Sequence, residues 1–154
     1  MDQEIALCIP LPVSVNAAYR NLTGKGRVKT GQALSWETRA MHALKDDLKR
    51  YNPLITKNLT TRYKNTLANN SVSLAKLERE HSGLRYSVTY VFHFRSSSKS
   101  RDIFNFEKLL TDLLVKVGFL LDDCFISEGH VFRGEINPEY PCVDVKIRVL
   151  TYGD

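Results

Sequence analysis

Apolar and polar residues alternate at both ends of the chain. Ile5, Leu7 and Ile9 fall on one side of residues 4–9, with Glu4, Ala6 and Cys8 on the other. Near the other end, Val143, Val145, Ile147 and Val149 interleave with Asp144, Lys146 and Arg148. The clearest run is central, where Tyr86, Val88, Tyr90, Phe92 and Phe94 occupy every second position. A strand sends successive side chains to opposite faces, so each run predicts a strand with one buried face. Residues 125–133 could add another.

Two segments change period. Trp36, Ala40, Ala43, Leu44 and Leu48 place an apolar stripe on residues 33–50. Phe106, Leu109, Leu110, Leu113, Leu114 and Val117 do the same on residues 106–117. Spacings of three and four predict two amphipathic helices. Gly118 is placed to end the second, and Pro53 lies just past the first. The stretch PLPVSVN reads as an irregular loop, and 21–32, with Gly24, Gly26 and Gly31, as a mobile loop or hairpin tip. Residues 54–82 are polar and rich in Asn, Thr and Lys, and read as an insertion that is partly helical. RSSSKSR, 95–101, reads as a basic loop. The order β–α–insert–β–α–β–β predicts an α+β fold: one domain over residues 1–154, with helices on one face of a small mixed sheet.

A chain of 154 residues can bury a core without disulfides. Its 43% hydrophobic and 25% charged content is that of a globular protein. No apolar run approaches the ~20 residues of a membrane helix, and the N-terminal segment lacks a signal-peptide pattern. A cytoplasmic protein with no membrane partner is expected. Cys8, Cys124 and Cys142 are odd in number and widely spaced, which argues against a disulfide framework. No CxxC or paired His/Cys spacing suggests zinc. His42, His81, His93 and His130 are scattered, and no catalytic duty is expected of them.

The net charge of +5 is unevenly placed. No acid occurs from Ile5 to Trp36, or from Tyr51 to Leu77. Nine of the seventeen acids fall between Asp102 and Asp144. This predicts a basic surface around an acidic pocket, and a basic surface attracts polyanions such as nucleic acid. Arg20, Lys25, Arg27 and Lys29 form the best-placed phosphate-contacting loop. Arg95, Lys99 and Arg101 flank the acids and could steer a strand toward them. Lys57, Arg62 and Lys64 of the insertion could extend a DNA face or a dimer contact. Tyr19 could stack on a base or pack in the core.

The acids cluster around the second helix. Asp102 precedes it, Asp112 lies on it, and Asp122 and Asp123 follow it. About twelve helical residues span ~18 Å, so Asp102 and Asp123 can meet only if the sheet brings them back together. Asp112 could bond a neighbouring strand or pair with Lys108 one turn away. Asp122 could cap the turn after the helix.

Pro12, Ser14, Asn16, Tyr19 and Arg20 are followed, in order, by Arg101, Asp102, Asn105 and Lys108, then by Asp112, Gly118, Asp122 and Asp123. This series resembles the RusA-type Holliday junction resolvases over about residues 7–150, apart from the insertion at 54–82. The resemblance implies a RusA-like fold and a small homodimeric endonuclease that cuts four-way or other branched DNA in recombination or repair, encoded by a host or a prophage. It implies Mg²⁺, or Mn²⁺, on carboxylates at Asp102 and Asp123. It places Lys108 in the reaction. Hard cations prefer carboxylate oxygen, and a lysine can offset phosphate charge as a compact cation.

The chain departs from that pattern at Phe104, where a second metal-binding Asp is expected two residues after Asp102. Two readings follow. Phe104 could only pack, stapled to Leu109 across a helix start capped by Asn105. Cutting would then be weak or lost while junction binding survives. Alternatively another acid could stand in, either Asp122 or Glu107, though Glu107 could equally face solvent.

Overall fold

The alternating runs at the two ends of the chain pair with each other, and one of them pairs with the central run. In the computed structural model, which describes residues 4–51, 84–97 and 102–151, strand β1 (Glu4–Pro10) lies antiparallel to β6 (Cys142–Thr151). β6 is antiparallel to β4 (Leu84–His93), which is parallel to β5 (Ile126–Arg133). The strand order is β1-β6-β4-β5, a mixed sheet. β2 (Tyr19–Leu22) and β3 (Gly26–Lys29) form a separate hairpin over the stretch expected to be a loop or hairpin tip. The insertion expected at 54–82, with Lys57, Arg62 and Lys64, lies outside the described residues.

Register follows from the period-two patterns. Ile5, Ile147 and Val88 stand opposite one another across three strands, as do Leu7, Val145 and Tyr90, and Ile9, Val143 and Phe92. All of these are buried. A slip of one residue would turn the whole set to solvent, so burial fixes the pairing. The opposite face carries Glu4, Arg148 and Ser87 in one row, Ala6, Lys146 and Thr89 in the next, then Cys8, Asp144 and Val91.

The helices cover the apolar face. α1 is one turn (Val15–Ala18), α2 spans Gly31–Ala43, α3 spans Lys45–Arg50 and α4 spans Glu107–Val117. Trp36, Ala40 and Leu44 from the first stripe, and Leu109, Leu110, Leu113 and Leu114 from the second, share one core with the sheet. The single helix expected over 33–50 is divided at Leu44, and Ala43 turns out to solvent. Gly118 ends α4 at a φ of 98°, a left-handed conformation that an L side chain adopts only with strain. The Trp36 indole donates to the Pro10 carbonyl at 2.8 Å, so the largest core side chain is satisfied at its polar edge. The Tyr51 hydroxyl donates to the Ala6 carbonyl at 3.1 Å and so occupies part of the free edge of β1. Among the described residues, no helix is long and apolar enough to cross a membrane.

One buried charge links the hairpin to both long helices. Glu37 of α2 is 6% exposed and accepts hydrogen bonds from Lys29 of β3, at 2.7 Å, and from Lys116 of α4. Burial alone would raise its pKa. The bonds from Lys116 and then Lys29 outweigh that and hold the carboxyl below its ordinary value. A lowered carboxyl pKa gives stability that is present above the ordinary value of 4.5 and is lost as pH falls through the folded value. Glu37→Gln is expected to cost ~1.5–3 kcal/mol at neutral pH, the range for hydrogen bonds to charged groups. Urea unfolding should show that gap narrowing below pH 4.5; a gap independent of pH would contradict this account.

Candidate nucleic-acid cleft and acidic edge

The chain leaves β1 at two prolines and turns around Ser14. The Ser14 hydroxyl oxygen accepts from the Ala17 amide at 3.3 Å and caps α1. The Leu11 amide donates to the Pro141 carbonyl at 3.2 Å, and the Thr30 hydroxyl donates to the Ala17 carbonyl at 2.7 Å. These bonds pin residues 11–17 beside the ends of β4 and β6. On the other side Phe92, Phe94 and Phe106 form an aromatic cluster with ring centroids 5.3–6.0 Å apart. It anchors the start of α4 against the end of β4. Asp102 accepts from the Phe104 amide at 3.0 Å and so caps a 3₁₀ turn at Ile103–Asn105.

The result is a cleft of about 490 Å³. Its lining includes Pro12, Ser14 and Asn16 from one segment and Arg95, Asp102 and Asn105 from another. Residues some ninety positions apart in sequence meet here.

The β2–β3 hairpin springs directly from the α1 wall of this cleft. Arg20, Lys25 and Arg27 are exposed on it. The Arg27 guanidinium lies 4.5 Å from the centre of the Tyr19 ring, so Tyr19 is half-buried under a cation. Lys29 differs from its neighbours, because its ammonium is held on Glu37. Arg95 is exposed at the cleft, while Lys99 and Arg101 lie outside the described residues.

The acids divide into two places. β4 and β5 run parallel, so α4 must carry the chain from the end of β4 back to the start of β5. Asp102 lies before α4 and Asp123 after it, which puts them at opposite ends of this unit. Eleven helical residues span ~16 Å. Asp122 caps a second 3₁₀ turn, Asp123–Phe125, by accepting from the Cys124 amide at 3.4 Å. Capping was one of its expected roles. A hydrogen bond with Asp122 is the main reason that the Asp123 pKa is raised; burial and the charges of Asp122 and Asp112 add to it. Asp112, Asp122 and Asp123 therefore form one crowded acidic edge. Among the described residues, Asp102, Glu107, Asp122 and Asp123 do not offer three ligand atoms within 4.8 Å of one another.

Glu107 is half-buried and turned toward the sheet. Its carboxylate accepts from the Thr111 hydroxyl at 3.4 Å, and Thr111 shares a 2.7 Å hydrogen bond with Tyr90. Lys108 is exposed, and no ion pair joins it to Asp112. Phe104 is 68% exposed. The expected staple does not form, because Asp102 caps the 3₁₀ turn that Asn105 closes, and α4 begins two residues beyond Asn105 without a side-chain cap. Phe104 thus stands in solvent between two residues that line the cleft.

Spacing in the sequence also hid one cluster. Cys8, Cys142 and Asp144 lie together across β1 and β6, brought there by strand register alone. No family model matches the chain, and no curated protein matches it. The resemblance to RusA-type resolvases rests on the motif residues.

A raised carboxyl pKa means that the ionised Asp123 costs the folded chain stability. That cost is absent below its ordinary value of 3.8 and is present in full above the folded value. Asp123→Asn is expected to raise the thermal midpoint slightly at pH 7, and the gain should vanish as pH falls toward 3.8. Differential scanning fluorimetry across pH checks the sign; a lower midpoint for the variant at pH 7 would contradict the crowding.

Proposed function

We propose that this chain is a metal-dependent endonuclease of four-way or other branched DNA, acting in recombination or repair. The observation that carries the proposal is the cleft, where Pro12, Ser14 and Asn16 meet Asp102 and Asn105. These are five positions of the resolvase-like series, drawn from two distant segments. The exposed cations Arg20, Lys25 and Arg27 project from the wall of that cleft, and phosphate neutralisation supplies much of the affinity for DNA.

The acidic edge suits a hard divalent cation as a two-carboxylate site, since among the described residues Asp112, Asp122 and Asp123 do not bring three ligand atoms within 4.8 Å of one another. Its donors are carboxylate oxygens, they repel one another, and Mg²⁺ needs only one or two carboxylates because it keeps several waters. Asp122 and Asp123 would hold it, with Asp112 beside them. Bound Mg²⁺ or Mn²⁺ would lower the pKa of a water and stabilise charge on the attacked phosphate. Lys108 is exposed at the Asp102 end of α4, suited to meet a phosphate there as a point cation. Asp102 lies at the far end of α4, so a homodimer suits the reading: a two-fold pair could set Asp102 of one copy near Asp123 of the other. Such a pair also matches a junction that needs two nicks.

A second reading is favoured by Phe104. Its exposed ring beside the cleft is suited to stack on an unpaired base, and the position offers no carboxylate. Under this reading the protein binds junctions and cuts them weakly or not at all.

Incubation of a synthetic four-way junction with the protein and Mg²⁺ should give paired nicks that a matched duplex does not show. Asp123→Asn should abolish them, and a mixture of Asp102→Asn and Asp123→Asn chains should recover part of the activity if the site is shared. Junction binding without nicks would favour the second reading. Phe104→Ala should weaken branched-DNA binding by ~1–3 kcal/mol, the value of one base stack. Fluorescence anisotropy measures this, and unchanged affinity would remove Phe104 from the DNA surface. Phe104→Asp should raise cleavage; no gain would mean the missing carboxylate is not what limits it.

A further inference from the structure

We propose that Cys8, Cys142 and Asp144, together with His93, form a site for a thiolate-seeking divalent cation, zinc foremost, on the face of the sheet turned away from α2 and α4. The inference is independent of the endonuclease reading. Register builds the site. Cys8 stands opposite Asp144, and Cys142 stands opposite His93 in the next row of the same face. The two sulfurs and a carboxylate oxygen of Asp144 all lie within 4.8 Å of one another. Ligand atoms around tetrahedral zinc sit roughly 3.3–3.8 Å apart, given metal–ligand distances of about 2.0–2.3 Å, so a shift of about an ångström closes these three. His93 does not lie within 4.8 Å of all of them and must swing further to complete the site.

His93 is held as a metal-binding histidine is held. Its Nδ1 lies 2.8 Å from the Glu135 carbonyl. A carbonyl only accepts, so Nδ1 carries the proton and donates. Nε2 lies 2.9 Å from Asp144 Oδ2. A carboxylate also only accepts, so without a cation Nε2 carries a proton and donates to Asp144, and a bound cation would take the place of that proton. A backbone carbonyl on the far nitrogen is the usual outer partner of a metal-bound imidazole, fixing its tautomer and its plane. Gly134 makes room for the ring: a Cβ there would lie 2.6 Å from His93 Cε1 and 2.9 Å from Nδ1.

The donor chemistry selects the ion. Two sulfurs, an imidazole and one carboxylate suit zinc, whereas Mg²⁺ takes oxygen. A disulfide fits less well. Cys8 and Cys142 are diagonal rather than directly opposed neighbours, and diagonal Cα atoms lie about 7–8 Å apart, beyond the usual disulfide span. The role would be structural. Leu11, Phe94 and Pro141 line the cleft, and each lies within three residues of a proposed ligand. A cation here would clamp the ends of β1, β4 and β6 beneath that cleft.

The test uses the full chain, stripped of metal and kept reduced, titrated with Co²⁺ or Zn²⁺ alone and with Mg²⁺ as control. Co²⁺ is expected to bind at one equivalent with thiolate charge-transfer absorption and tetrahedral ligand-field bands, which Zn²⁺ then bleaches and Mg²⁺ does not. Cys8→Ser, at an exposed position, should lose much of the charge-transfer band. His93→Gln should weaken binding by more than the ~10–100-fold typical of losing an outer hydrogen-bond partner of a ligand. Asp123→Asn should leave the signal intact, which separates this site from the acidic edge. Absence of a charge-transfer band, an unchanged titration in Cys8→Ser, or a Cys8–Cys142 cross-link recovered by mass spectrometry under the same reducing conditions would each overturn the proposal.

Discussion

The position of β6 between β1 and β4 is the constraint on which the rest depends. Val143, Val145 and Ile147 meet apolar partners on both sides, row by row, and the polar residues between them face the other way. Because the side-chain period of a strand is two, this one register decides both faces at once. The buried rows give α2 and α4 a surface to cover. The open rows set Cys8 against Asp144 and Cys142 against His93. The strand ends place Leu11, Phe94 and Pro141 around the cleft. Core, cleft and sulfur cluster are three products of the same pairing.

The parallel pair β4–β5 contributes a different geometry. A parallel connection must return along the sheet, and α4 is the return. Acids close in sequence are thereby spread along a helix and its two flanking 3₁₀ turns. Asp102 shares its end with the cleft, and Asp122 and Asp123 share theirs with Asp112. The two caps also show carboxylates at work on backbone amides, Phe104 for Asp102 and Cys124 for Asp122.

Much of the fold was legible in the sequence. Strict alternation at 5–9, 86–94 and 143–149 specified three strands and their inner faces, and Gly118 marked the end of α4. Local patterns failed where tertiary partners intervene. Nothing at 33–50 marked the division at Leu44. Nothing at 104 distinguished an exposed ring from a staple, because the choice depended on which residue capped the turn. Helix length already set Asp102 apart from Asp123, but strand order is not a local property, so whether the sheet would bring them back together could not be read, and neither could the approach of residues 8, 93, 142 and 144. Charge counts marked a basic surface, yet they could not tell Lys29 from Arg20, since only the fold sets Glu37 beside one of them.

That last distinction changes how the hairpin acts on a polyanion. Of its four cations, Lys29 has its charge answered inside the fold, whereas Arg20, Lys25 and Arg27 meet solvent. Counterions gather around charges that face water, and their release governs how salt weakens binding. The hairpin is thus a three-charge arm hinged on a fourth, and the fourth reports on the posture of the arm rather than on its grip.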